Sequence, residues 1–373
     1  MTRRELAASA LAAIAATTVS GQEKKKHEIT AASVPTDPDA PGVQTGTLPE
    51  ELPFGPTIEF VRRDATARVE PFPMKDVRLL PGLFMQAQEA NRAFILAQST
   101  DRLLHVFRLN AGLPSNAEPL GGWEKPDGEL RGHFVGHYLS AVALMYASTG
   151  YQEFQTRGNY MVAELAKCQQ KLGGGYLSAF PTEFFVRLSD RKKVWAPFYT
   201  VHKIMAGLLD MHTHCANQQA LTVVTGMAEW ADKYSAALPE DHMQMILDTE
   251  YGGMNEVLYN ISVITGEERF ARAGDRFTKK RFFNPLALRR DDLRGLHTNT
   301  HIPQVIGAAR RYEISSDQRF RDVADYFWQT VVETRTYATG GTSNNEGWLV
   351  QPNRLAAELA MGHDTNECCC SYN

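Results

Sequence analysis

A helical hairpin recurs along this 373-residue chain at a spacing near fifty residues. Four segments, 140–154, 203–221, 256–270 and 304–320, share one form: apolar helix, short turn, two or three polar residues, large apolar residue, second helix. Their closing residues Phe154, Leu221, Phe270 and Phe320 lie 67, 49 and 50 residues apart. A helical pair cannot bury its apolar face alone, so pairs repeated in this way must stack. The expected class is all-α, as an open solenoid or a closed α/α toroid.

The residues leading into each first helix favour the toroid. They are Gly132-His-Phe-Val-Gly-His-Tyr, Ala196-Pro-Phe-Tyr-Thr-Val-His-Lys, Glu250-Tyr-Gly-Gly-Met-Asn-Glu and Leu296-His-Thr-Asn-Thr-His-Ile-Pro, all rich in Gly, His, Asn and aromatics. First helices arranged as an inner ring bring the four lead-ins to one rim, around a concave polar pocket. A further pair is expected before Gly132, over 86–98 and 101–110, and a sixth would complete a six-hairpin ring. After the last visible helix a Gly-rich stretch, Thr336-Tyr-Ala-Thr-Gly-Gly-Thr-Ser-Asn-Asn-Glu-Gly-Trp, breaks the repeat.

Charge narrows the partners. Lys plus Arg number 39 against 43 Asp plus Glu, so no basic field awaits a polyanion and nucleic acid is not an expected ligand. Residues 1–21, with Arg3-Arg4 ahead of a short Ala-rich apolar run, read as an export signal, compatible with the twin-arginine route to the periplasm or the exterior. The run is too short for a permanent membrane span. Residues 22–56, with Pro35, Pro38, Pro41, Pro49, Pro53 and Pro56, read as a disordered tether, leaving 57–373 as the folded domain. Five cysteines, three of them consecutive at Cys368, Cys369 and Cys370, make a poor disulfide framework and point instead to ligands or a reactive site.

Seven motifs in order carry a resemblance. They are Leu79-Leu-Pro-Gly, Gly132-His-Phe-Val-Gly-His-Tyr-Leu-Ser-Ala, Gly174-Gly-Tyr-Leu-Ser-Ala-Phe-Pro, Trp195-Ala-Pro-Phe-Tyr-Thr-Val-His-Lys, His297-Thr-Asn-Thr-His-Ile-Pro, Tyr337-Ala-Thr-Gly-Gly-Thr-Ser and Glu367-Cys-Cys-Cys-Ser-Tyr-Asn. Together they resemble the β-L-arabinofuranosidase family, glycoside hydrolase family 127, over about residues 77–373. The resemblance implies an α/α six-hairpin barrel followed by β-sandwich material, and a retaining glycosidase acting on an arabinose-containing glycan. It also implies zinc, a cysteine thiolate nucleophile and a glutamate acid/base.

Carried over by resemblance, Glu346 is the acid/base, with Trp348 beside it expected to bury its carboxyl partly and raise its pKa. Glu367 and Cys369 are the implied zinc ligands, a carboxylate and a thiolate that suit the metal, with Cys368 and Cys370 as non-ligands. The family's later Cys-Cys pair has no counterpart before Asn373, so the nucleophile is unassigned. The chain reads as an N-terminal fragment, inactive alone and with an incomplete zinc site. His137, His202 and His297, with Tyr199 and Trp195, look like sugar-binding groups, whereas His133 and His301 read first as structural imidazoles. Two other readings stand beside this one: a carbohydrate-binding toroid without catalysis, and a toroid lyase or epimerase using His and Tyr alone.

Overall fold

The computed structural model describes residues 48–361, 365–366 and 369–372. The expected export signal, Glu367 and Cys368 lie outside the described residues. Helices dominate: α1 (Leu83–Ala97), α2 (Thr100–Asn110), α3 (His133–Thr149), α4 (Gln152–Leu172), α5 (Glu183–Ser189), α6 (Pro197–Cys215), α7 (Gln218–Ala236) and α8 (Glu240–Ile246). They continue as α9 (Met254–Thr265), α10 (Glu268–Arg276), α11 (Lys280–Ala287), α12 (Thr298–Glu313), α13 (Gln318–Thr334), α14 (Leu355–Met361) and α15 (Cys369–Tyr372). Among the described residues only isolated antiparallel bridges occur besides helix.

The pairs stack as an all-α toroid. First helices α3, α6, α9 and α12 pack side by side in chain order, and second helices α4, α7 and α10 line up behind them, with α13 against α12. The fifth pair is present as α1 and α2, set against α3 and α4 respectively. On α1 most of the apolar face is exposed, including Leu83, Phe84 and Phe94. Each second helix from α4 to α10 is followed by a short one (α5, α8 and α11), which the repeat pattern did not anticipate.

The repeat register is set at the turn. Between first and second helix stands one residue of left-handed backbone: Gly150, Ala216, Gly266 and Ser316, with φ of 76°, 55°, 75° and 54°. This conformation costs an L-residue roughly 1–2 kcal/mol and glycine almost nothing. The next residue is the N-cap of the second helix, and the Asn217 and Asp317 side chains close that end by accepting the N–H groups of Ala220 and Arg319. Three residues beyond the cap, Phe154, Ala220, Phe270 and Phe320 are fully buried. The repeat position expected at Leu221 therefore belongs to Ala220, because Leu221 is one residue farther round the helix and only partly buried. Each such Phe contributes about 1.5–3 kcal/mol of burial.

Two first helices meet at almost bare backbone. A Cβ on Gly136 of α3 would fall on the carbonyl of Lys203, and one on Gly207 of α6 on the carbonyl of Gly136. Close approach of α3 and α6 thus requires glycine on both sides.

The tether expected over 22–56 does not extend to its predicted end. Phe54 is buried edge-on against Phe283 and Phe320, and its N–H donates to Asn284 Oδ1 at 2.7 Å. From there the chain runs as a strap: Glu59 O accepts from Arg311, and the N–H groups of Arg63 and Ala65 donate to Ile314 and Glu313 carbonyls. Arg311 is fully buried, bridged to Asp275 at 2.7 Å and stacked on Phe60.

Candidate functional site

The first group of polar residues is organised by the start of α3. Gly132 turns the chain in left-handed conformation at φ 99°, and buried Glu124 closes the helix end. Its carboxylate accepts the N–H of Gly132 at 2.6 Å and of Phe134 at 2.9 Å, and lies 2.6 Å from His133 Nδ1. A carboxylate at a helix N-terminus satisfies groups that no intrahelical partner reaches. His133 is thereby fixed, with Leu130 O also 2.9 Å from its Nδ1.

One turn on, His137 meets the ring of Tyr372 at 5.3 Å. Burial and the nearby Lys203 charge push its pKa down to about 3, so the imidazole is neutral. Lys203, on α6, is itself buried, with its ammonium 5.0 Å from the Tyr199 ring centre and 4.7 Å from that of Tyr372, to whose hydroxyl it donates. Loss of hydration brings that lysine down to about 8, opposed by Glu250 and Glu256. Local loss of hydration pushes Tyr372 up to about 12 although 53% of the residue stays exposed, and burial raises Tyr199, which also feels Tyr372, Glu250 and Cys369.

His202 lies on the same helix. Its Nδ1 accepts the N–H of Gly253 at 3.1 Å, which leaves the ring proton on Nε2. A Cβ on Gly252 would come within 2.6 Å of that ring. Desolvation holds His202 well below the usual imidazole range. Trp195 is positioned through its main chain, whose N–H donates to Glu129 at 2.8 Å.

Glu346 and His297 make the second group. Asn344 and Gly347 exchange both backbone hydrogen bonds at 3.0 Å, with Asn345 and Glu346 between them at φ of 47° and 64°. This is the two-residue hairpin turn with both central residues left-handed. Glu346 therefore stands at a tight tip, its carbonyl accepting from Thr298 at 2.8 Å. His297 caps α12, its Nδ1 accepting the Thr300 N–H, so Nε2 carries the proton and faces Glu346 Oε2 at 3.6 Å. Trp348 turns inward, its indole donating to Thr342 and packing on Phe327. Since 58% of the Glu346 side chain stays exposed, Trp348 does not supply the burial expected for it.

The last described segment joins the two groups. Asn366 N–H donates to Ser343 O, Cys370 Sγ lies 3.3 Å from Ser343 Oγ, and two residues later Tyr372 reaches Lys203 and His137. Cys370 is buried on the Ser343 side, while Cys369 is close enough to raise Tyr199 electrostatically. Sequence reasoning passed over Glu124, Lys203 and Tyr372. Lys203 and Tyr372 sat inside motifs already singled out; Glu124 carried no local sign of its role.

Zinc needs about four donors. Among the described residues no group of three or more His, Cys, Asp or Glu stands close enough to hold an ion, so they do not by themselves fit that metal. Cys369 is the one described member of the expected pair. No helix among the described residues is long and apolar enough to cross a membrane.

Residues 76–373 match the catalytic-domain family of β-L-arabinofuranosidases, GH127. No curated protein matches. Among solved structures, the chain is similar to a GH127 β-arabinofuranosidase, with TM-score 0.55 and 17% identity over 76% of this chain and 47% of that one. A GH127 β-L-arabinofuranosidase from Geobacillus stearothermophilus T6 is similar at TM-score 0.47 and 15% identity, over 72% and 45%. The chain thus spans about half the length of the solved relatives it matches.

Proposed function

Because the chain belongs to the GH127 catalytic-domain family of β-L-arabinofuranosidases, we propose that it serves the hydrolysis of β-L-arabinofuranosyl linkages in an arabinose-containing glycan. The observation that carries this reading is Glu346, presented on a tight two-residue turn at 3.6 Å from the protonated nitrogen of His297 within the family-matched region. In its acid form Glu346 donates a proton to the glycosidic oxygen as the bond to the anomeric carbon breaks. The carboxylate left behind takes a proton from water in the second half of the reaction, which returns it to the acid form. His297 Nε2–H steadies the carboxylate between these roles.

Sugar hydroxyls are read by His137, His202 and His297, with Tyr199 and Trp195 as flanking aromatics. The Nδ1 atoms of His202 and His297 already accept backbone N–H groups, so each offers its Nε2–H as a donor to a sugar oxygen, while the neutral His137 ring offers one donor and one acceptor. Retention of configuration follows from a thiolate nucleophile between the two proton transfers, and no described residue is assigned to it. Zinc is proposed at Glu367 and Cys369 with donors beyond these two, and no step above depends on it. Export directed by residues 1–21 places the reaction outside the cytoplasm, which cell fractionation tests.

The experiment is hydrolysis of an aryl β-L-arabinofuranoside by the product of the whole reading frame, with the first-formed anomer identified by proton NMR. Release of the β anomer is expected. First release of the α anomer overturns retention, and binding of the glycan without cleavage overturns the hydrolase reading in favour of a carbohydrate-binding toroid.

A further inference from the structure

A small pocket of about 110 Å³, which shares no lining residue with the groups described above although it adjoins His297, lies between α11, the loop that follows it and the first turn of α12. Its charged and polar lining comes from Lys279, Arg281, Arg290, Asp292 and His301. His301 is 4% exposed, and its Nδ1 stands 2.7 Å from the carbonyl of His297. A carbonyl only accepts, so Nδ1 carries the proton and Nε2 is left as an acceptor. That Nε2 has no partner among the described residues. A buried polar atom without a partner is costly and asks for a ligand or water.

The cations of the pocket are also under-compensated. Lys279 is 2% exposed, and its ammonium is 3.7 Å from Asp248, beyond hydrogen-bond reach. Asp248 is shared with Arg281 at 3.0 Å, while Arg290 and Asp292 neutralise each other at 2.8 Å. Three or so waters would fill the space and satisfy Nε2. They would leave the buried ammonium to share the Asp248 carboxylate with Arg281.

We propose that this pocket binds a small protonated oxyanion of the hydrogen-phosphate class, whose charged oxygens accept from Lys279 and Arg281 and whose O–H donates to His301 Nε2. Hydrogen phosphate carries both features. Sulfate has the same shape but no O–H at neutral pH, so its lone pairs would face that of Nε2. Burial lowers the pKa of Lys279 to about 8, with the Arg281 charge adding to the effect and Asp248 opposing it.

The test is calorimetric titration of the full chain with inorganic phosphate and, separately, with sulfate, at pH 7 and constant ionic strength set with sodium chloride. Saturable phosphate binding is expected, with sulfate weaker by about tenfold or more. Lys279→Met should weaken phosphate by about ten- to a hundredfold. Arg281→Gln alters a side chain that is 63% exposed, so its fold is secure, and it should weaken phosphate by about threefold. No saturable phosphate signal, equal binding of sulfate, or unchanged affinity in Arg281→Gln would each overturn the proposal. None of these readings involves turnover, so the outcome is independent of the catalytic assignment.

Discussion

Glu124 gathers the N–H groups of Gly132 and Phe134 and the ring of His133 at the start of α3. Its replacement by Ala strands one buried and one partly buried donor, and we expect a stability loss of about 2–3 kcal/mol in urea unfolding. Such a residue is invisible to sequence patterning, because one acidic side chain in a loop looks like any other until the fold brings a helix end to it. Glu346 was legible only through its motif; its exposure and its hairpin turn were not, since Trp348 points by main-chain geometry into the core. The cysteines give a second prediction. Cys369→Ser should deplete zinc while Cys370→Ser, altering a thiol buried on Ser343, should retain it. Elemental analysis after dialysis of the whole-frame protein decides this, and equal depletion in both variants would contradict the ligand assignment.

The paired helices could be read from the chain because period and turn chemistry coincide: a left-handed residue and a buried apolar residue recur in one register, with a capping side chain between them at Asn217 and Asp317. Leu221 misled the pattern because hydrophobicity alone cannot separate adjacent positions at the start of a helix. The Gly136 and Gly207 contact was likewise unreadable, as it depends on which helices become neighbours. Gly136→Ala places a methyl on the Lys203 carbonyl, and we expect a loss of about 3 kcal/mol or more in the same unfolding assay. It should also displace His137, one residue away, and weaken glycan binding. Wild-type stability in this variant would show that α3 and α6 do not approach as described.

At the scale of the whole molecule, buried neutral imidazoles tie folding to pH. In the folded state His301 is pushed by burial to about 3, against 6.5 for the free side chain, and His137 behaves alike. As pH falls below about 6.5 the unfolded chain takes up protons that the folded chain refuses. Stability is therefore full above that pH and declines toward pH 3, with His301 alone accounting for about 2 kcal/mol by pH 5. Urea midpoints in phosphate-free buffers at pH 7 and pH 5 should differ accordingly, and unchanged midpoints would contradict the burial of these rings. The central claim, that Glu346 moves the protons of glycoside hydrolysis, is tested most directly by comparing whole-frame protein with its Glu346→Gln variant on an aryl β-L-arabinofuranoside, with and without azide. A fall in kcat of about a hundredfold or more is expected, with substrate binding retained and partial rescue by azide. Turnover equal to wild type in Glu346→Gln would contradict it.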